Sequence, residues 1–152
     1  MNKISNYILI LSLLLLTNCG YQAVLNNQNY QFSINVNKIN GDQKINSLII
    51  NRLKQLEENE KVYNLSLTSN KEKLIISKDS KGDPSIFEIK INVNYVVKKD
   101  EEILISNKIN KKTTYNNITD KFELENYEKT IINNLVSEIS DTIMLSISKV
   151  SE

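Results

Sequence analysis

Residues 87–97 read Phe-Glu-Ile-Lys-Ile-Asn-Val-Asn-Tyr-Val-Val. Six successive odd positions, Phe87, Ile89, Ile91, Val93, Tyr95 and Val97, are apolar, and Glu88, Lys90, Asn92, Asn94 and Val96 lie between them. Side chains of a strand alternate between its two faces, so this spacing predicts a long strand with one apolar face and one mostly polar face. Lys99 to Glu102 then reads as a charged hairpin connection, and Ile103, Ile105 and Ile109 carry the odd parity into a returning strand. Register is pinned wherever one face is buried, so the odd positions of this antiparallel pair are expected to face the core.

Upstream, Gly82-Asp83-Pro84 is the strongest turn signal, because proline fixes φ and glycine permits positive φ. Before it, Tyr63, Leu65 and Leu67 alternate. After a polar break at Ser69 to Lys71, Leu74, Ile75 and Ile76 form a second apolar run, so two further strands are read here. Phe32, Ile34 and Val36 put three apolar side chains on one face of an earlier strand. Asn40 with Gln43 three residues on resembles a capping box, and Ile45, Leu48, Ile49, Leu53 and Leu56 follow helical spacing to about Glu58. Downstream, Asp120 with Glu123 makes a second capping pair. Tyr127, Ile131, Ile132, Leu135, Val136, Ile139, Ile143, Met144, Ile147 and Val150 then recur at three- and four-residue steps, which predicts a helix of about 30 residues, roughly 45 Å long.

The predicted order is thus β-α-β-β-β-β-α, or the same with one short strand fewer. The fold class is α+β, a two-layer sandwich with two amphipathic helices packed on one face of a four- to five-stranded mixed sheet. Residues 31–150 form its single domain.

The amino-terminal end reads differently. Met1 to Asn6 carry one cation, Lys3, and Tyr7 to Leu16 form an apolar run dominated by Ile and Leu that stops at Thr17 and Asn18. A membrane-spanning helix needs roughly 20 apolar residues, so this run fits a secretory leader instead. Leu16-Thr17-Asn18-Cys19 resembles the lipobox of bacterial lipoproteins, in which the thiol is joined to diacylglycerol, the leader is cut and the new amino terminus is acylated. Residues 1–18 would then be a lipoprotein signal peptide, Cys19 the lipidated residue, and 19–30 an asparagine- and glutamine-rich tether. Eleven residues from Gly20 to Tyr30 reach at most roughly 35 Å at about 3.3 Å each. In the sorting rule that this resemblance implies, aspartate after the cysteine retains the protein at the inner membrane. Gly20 therefore implies outer-membrane localisation, lipid-anchored, with the domain on the periplasmic side.

Composition narrows the chemistry. Lysine plus arginine total 19 and aspartate plus glutamate 18 among 152 residues. Such balance argues against a nucleic-acid partner. There is no histidine and a single cysteine, which removes Ser-His triads, Cys-His pairs, internal disulfides and zinc sites built from those ligands. No catalytic residue, metal site or cofactor is expected, and the chain reads as a non-enzyme.

With these elements placed, the mature chain resembles the LPS-assembly lipoprotein family, LptE. The likeness rests on Cys19-Gly20-Tyr21 at the acylated start, strand then helix to about Glu58, the long hairpin after Gly82, Tyr115-Asn116 before the final helix, and that helix itself. It implies a plug and assembly partner for the outer-membrane β-barrel, an LptD-like protein, that inserts lipopolysaccharide into the outer leaflet. Lipopolysaccharide itself is a second partner that the resemblance leaves open. Its phosphates would need cations, and Lys108, Lys111 and Lys112 form the only stretch with several cations and no nearby acid. The bland reading of these three is a solvated strand end whose lysines discourage edge pairing. Two alternatives stand beside the plug: an auxiliary lipoprotein of an ABC-type lipid transport system, and a periplasmic small-ligand-binding lipoprotein with a sizeable apolar cavity.

Overall fold

A computed structural model of the chain describes residues 32–54 and 61–151. The leader, Cys19 and the tether lie outside the described residues, as do Leu56 to Glu58 of the expected first helix. The elements are β1 (Ser33–Gly41), α1 (Gln43–Leu53), β2 (Val62–Lys78), β3 (Pro84–Lys99), β4 (Glu102–Asn116) and α2 (Lys121–Ser151). The four strands form one sheet in the order β1-β2-β3-β4. β1 runs parallel to β2, and the other two pairings are antiparallel. This is the expected α+β architecture, a mixed sheet with both helices on one face.

The expected break at Ser69 to Lys71 is not a break. β2 runs unbroken for 17 residues, with Ser69, Asn70 and Lys71 paired to Val93, Asn92 and Ile91. The polar residues have a different cause. β1 ends opposite Ser69, the Asp42 amide donates to the Ser69 carbonyl at 3.0 Å, and the buried Ser69 hydroxyl donates to the Asp42 carbonyl at 3.2 Å. Beyond that point β2 has no partner strand on the β1 side among the described residues.

The first helix is capped by Asp42 rather than Asn40. Asp42 Oδ1 accepts from the Ile45 amide at 3.0 Å, while Asn40 is still paired in β1 and its carbonyl accepts from Asn46 Nδ2 at 2.8 Å. Gly41, at φ +87°, makes the corner between strand and helix, a conformation that favours glycine. The Asp120 cap of α2 stands: its Oδ1 accepts from the Phe122 and Glu123 amides at 2.8 and 3.0 Å.

The core lies between sheet and helices. Ile89, Ile91, Val93, Tyr95 and Val97 of β3 are buried, as are Tyr63, Leu65 and Leu67 of β2. Ile45, Ile49 and Leu53 of α1 and Ile131, Ile132, Leu135, Val136, Ile139, Ile143 and Ile147 of α2 close over them. The first and last apolar positions of the expected α2 stripe, Tyr127 and Val150, are exposed instead. So is Ile103, at 58%. The β3–β4 ladder slips by one residue between Val97 and Lys98, so Ile105 faces the core side with Val97 whereas Ile103 pairs with Lys98 and turns to the other face.

Candidate functional site

The two faces of the sheet differ in what packs against them. On the helix side, charged groups join strands to α2. Lys111 Nζ lies 2.9 Å from Glu138, and Lys73 Nζ lies 2.6 Å from Glu128 and 4.3 Å from the centre of the Phe87 ring. Tyr115 OH donates to Glu128 at 2.7 Å, its ring stacks on Phe87, and Tyr127 meets it edge-on. Burial and the adjoining Glu128 carboxylate push the Tyr115 phenol well above its ordinary pKa, so it stays protonated. This cluster ties the end of the hairpin to the helix and has the geometry of a fastening.

Among the described residues no helix covers the opposite face, and paired residues across the ladder define its rows. Asn64 and Lys98 share a row with Ile103. Ser66, Val96 and Ser106 form the next, then Thr68, Asn94 and Lys108, then Asn70, Asn92 and Asn110, then Glu72, Lys90 and Lys112, and then Leu74, Glu88 and Thr114. β1 adds Asn35, Lys38 and Asn40 beside Asn64, Ser66 and Thr68. Side chains directly opposite across a strand pair interact. Asn110 Nδ2 donates to Asn92 Oδ1, Asn35 Nδ2 donates to Asn64 Oδ1 at 3.3 Å, and Asn70 Nδ2 donates to Glu72 Oε1 at 2.8 Å. Lys112 Nζ lies 3.0 Å from Glu88, whose residue is only 8% exposed.

The three lysines singled out by sequence therefore do not form one group. Alternation puts Lys108 and Lys112 on the uncovered face and Lys111 on the helix side, where Glu138 holds it. Lys112 is engaged by Glu88, and Lys108 has no carboxylate within ion-pair distance among the described residues. Lys90 lies on the uncovered face as the alternation of its strand expects, whereas Lys38 joins it through the register of β1 against β2, which its own strand's pattern does not reveal. Cys19 lies outside the described residues.

Among the described residues no three Asp, Glu, His or Cys side chains come together as metal ligands, and no helix is long and apolar enough to cross a membrane. An open groove of about 230 Å³ between the helices is lined by Lys44, Leu48, Lys129, Ile132 and Asn133, and one of about 160 Å³ lies on the uncovered face at Lys38, Ser66, Thr68 and Asn94. Both fall below the roughly 300–1,000 Å³ of small-molecule pockets.

The fold is shared with solved structures of bacterial lipoproteins. Solved structures that share the fold include rare lipoprotein B from Shewanella oneidensis (15% identity, TM-score 0.58, covering 77% of this chain and 96% of that one). A putative lipoprotein from Caulobacter crescentus CB15 matches at 12% identity and TM-score 0.55, covering 80% of this chain and 90% of its own. A minor lipoprotein from Acinetobacter baumannii matches at 11% identity and TM-score 0.54, covering 79% and 92%. No protein-family model and no curated protein sequence matches the chain.

Proposed function

We propose that this chain is an outer-membrane lipoprotein, anchored through Cys19, that acts as plug and assembly partner of the β-barrel inserting lipopolysaccharide into the outer leaflet, as its resemblance to the LptE family implies. The observation that carries the reading is a sheet closed by helices on one face and left polar on the other, in a fold shared with bacterial lipoproteins. Barrel lumens are polar, and a plug needs such a face to meet one. The dimensions agree: from Asn64 to Glu72 the uncovered face is almost wholly amide, hydroxyl and charged, a span of roughly 26 Å at about 3.3 Å per residue. The membrane-facing band of an outer-membrane barrel is about 25 Å tall. Ile103 lies in the first row of this belt, and Val62 and Leu74 stand beyond its two ends, all three exposed.

Extraction of native membranes in mild detergent tests the reading. A stoichiometric complex with a large β-barrel is expected, and depletion should lower surface lipopolysaccharide and admit hydrophobic antibiotics. Recovery of inner-membrane transporter subunits alone, or unchanged surface lipopolysaccharide, would replace this function with that of an auxiliary transport lipoprotein.

A further inference from the structure

The chain as a whole is almost neutral, at +1, yet its charges are unevenly placed. Between the row of Asn64 and the row of Leu74, the uncovered face carries Lys38, Lys90, Lys98, Lys108 and Lys112 against Glu72 and Glu88, five cations to two acids and so an excess of three. Both acids already have partners on the face itself, Glu88 in Lys112 and Glu72 in the Asn70 amide. Lys38, Lys90 and Lys108 form no ion pair within 4.0 Å among the described residues, although Lys90 stands opposite Glu72 in the ladder.

Their spacing decides what they can recognise. Lys90 and Lys108 stand on neighbouring strands but in rows four residues apart, roughly 13 Å along the sheet, and Lys38 lies two strands from Lys90 and roughly 20 Å along it. Lysines so dispersed cannot converge on one phosphate. They are interleaved with Asn70, Asn92, Asn94 and Asn110, whose amides seek specific hydrogen-bond partners, and Val96 is the only apolar side chain in the rows from Ser66 to Glu72. A broad surface with scattered acids and hydrogen-bonding groups complements that pattern.

We propose that the uncovered face is a cationic docking face for a protein wall of net acidic charge, with Lys38, Lys90 and Lys108 supplying the attraction and the asparagine rows the register. The proposal rests on the plug reading and names the chemistry of the counter-surface. Charge of this kind steers association and is screened over about 8–10 Å at moderate salt, so assembly slows as ionic strength rises.

The test uses the full acylated chain captured from its own membranes at low and moderate salt, with the co-captured barrel quantified. Lys38→Glu/Lys90→Glu/Lys108→Glu should reduce recovered barrel on the order of tenfold or more, and the same positions changed to Gln should give a smaller loss with a flattened salt dependence. Lys44→Glu/Lys121→Glu/Lys129→Glu, an equal charge change on the helices, should behave as wild type. Unchanged thermal unfolding of the Gln triple keeps the comparison independent of folding. If wild type holds the barrel but both Glu triples lose it equally, or neither does, the docking face is overturned and the plug reading survives. A wild-type chain that holds no barrel overturns both. A preference for anionic over neutral vesicles, lost in the Lys38/Lys90/Lys108 variants, would then assign the face to lipid.

Discussion

A β-carbon placed on Gly41 would stand 1.8 Å from the Ser69 carbonyl oxygen. The chain turns from β1 into α1 at this point, and the close approach is what lets the Asp42 amide reach Ser69. Gly82 has nearly the same φ, +90° against +87°, but open space around it. Gly82→Ala should therefore cost only the backbone conformation, about 1 kcal/mol. Gly41→Ala should cost that and the displacement of β1 from β2, at least about 3 kcal/mol in urea unfolding. Equal costs would mean that the corner tolerates a shift of the strand.

Ile91 and Asn92 are neighbours on opposite faces. Ile91→Ala should destabilise by about 2–5 kcal/mol as a buried truncation, while Asn92→Ala, which loses only its pairing with Asn110, should stay within about 1 kcal/mol. Chemical denaturation of the two variants is the check.

The β3–β4 turn places Asp100 and Glu101 at φ 48° and 69° without a glycine. A two-residue hairpin turn of this kind favours glycine second. Glu101→Gly should stabilise the hairpin by about 0.5–1 kcal/mol, read as a rise in unfolding temperature.

Asp141 faces Arg52 and Ser137 between the helices, and burial raises its carboxyl pKa above the ordinary 3.8, with Glu138 adding to the rise and Arg52 and Ser137 opposing it. An acid whose pKa is raised by folding stabilises the fold when protonated. Stability from this group is present below 3.8 and lost as pH rises through the higher folded value. Asp141→Asn should accordingly be slightly more stable than wild type at neutral pH, with the gain vanishing on acidification below that range. Unfolding curves of both proteins across acidic and neutral pH decide it.

Cys19→Ser tests the anchor. The variant should accumulate as an uncleaved precursor at the inner membrane, visible as a larger band in fractionated membranes. Normal processing and outer-membrane recovery would remove the lipoprotein reading.

The long hairpin and both helices were legible because their periodicities are local: the odd positions of β3 needed no partner to declare a face. What stayed hidden depends on partners. Ile103 keeps the parity of Ile105 in sequence and loses it through a one-residue slip against β3. Asn40 and Asp42 are both good caps, and only the pairing of β1 with β2 as far as Gly41 leaves the role to Asp42. Ser69 to Lys71 looked like a break because its polarity answers to the neighbouring corner rather than to its own strand. The separation of Lys111 from Lys108 and Lys112, and the place of Lys90 beside them, were available from alternation alone, whereas the joining of Lys38 to the same surface required the register of β1 against β2.

Because β1 ends opposite Ser69, the run from Asn70 to Lys78 pairs, among the described residues, with β3 alone, and α2 is held at that end of the sheet through the Lys73–Glu128 ion pair and the Tyr115–Glu128 hydrogen bond. Free energy of local opening is lowest where few buried contacts and exposed backbone coincide. The molecule is thus graded along its length: the end where β1 also pairs is expected to resist local opening, and the far end to open first, by releasing the cluster of Lys73, Glu128 and Tyr115.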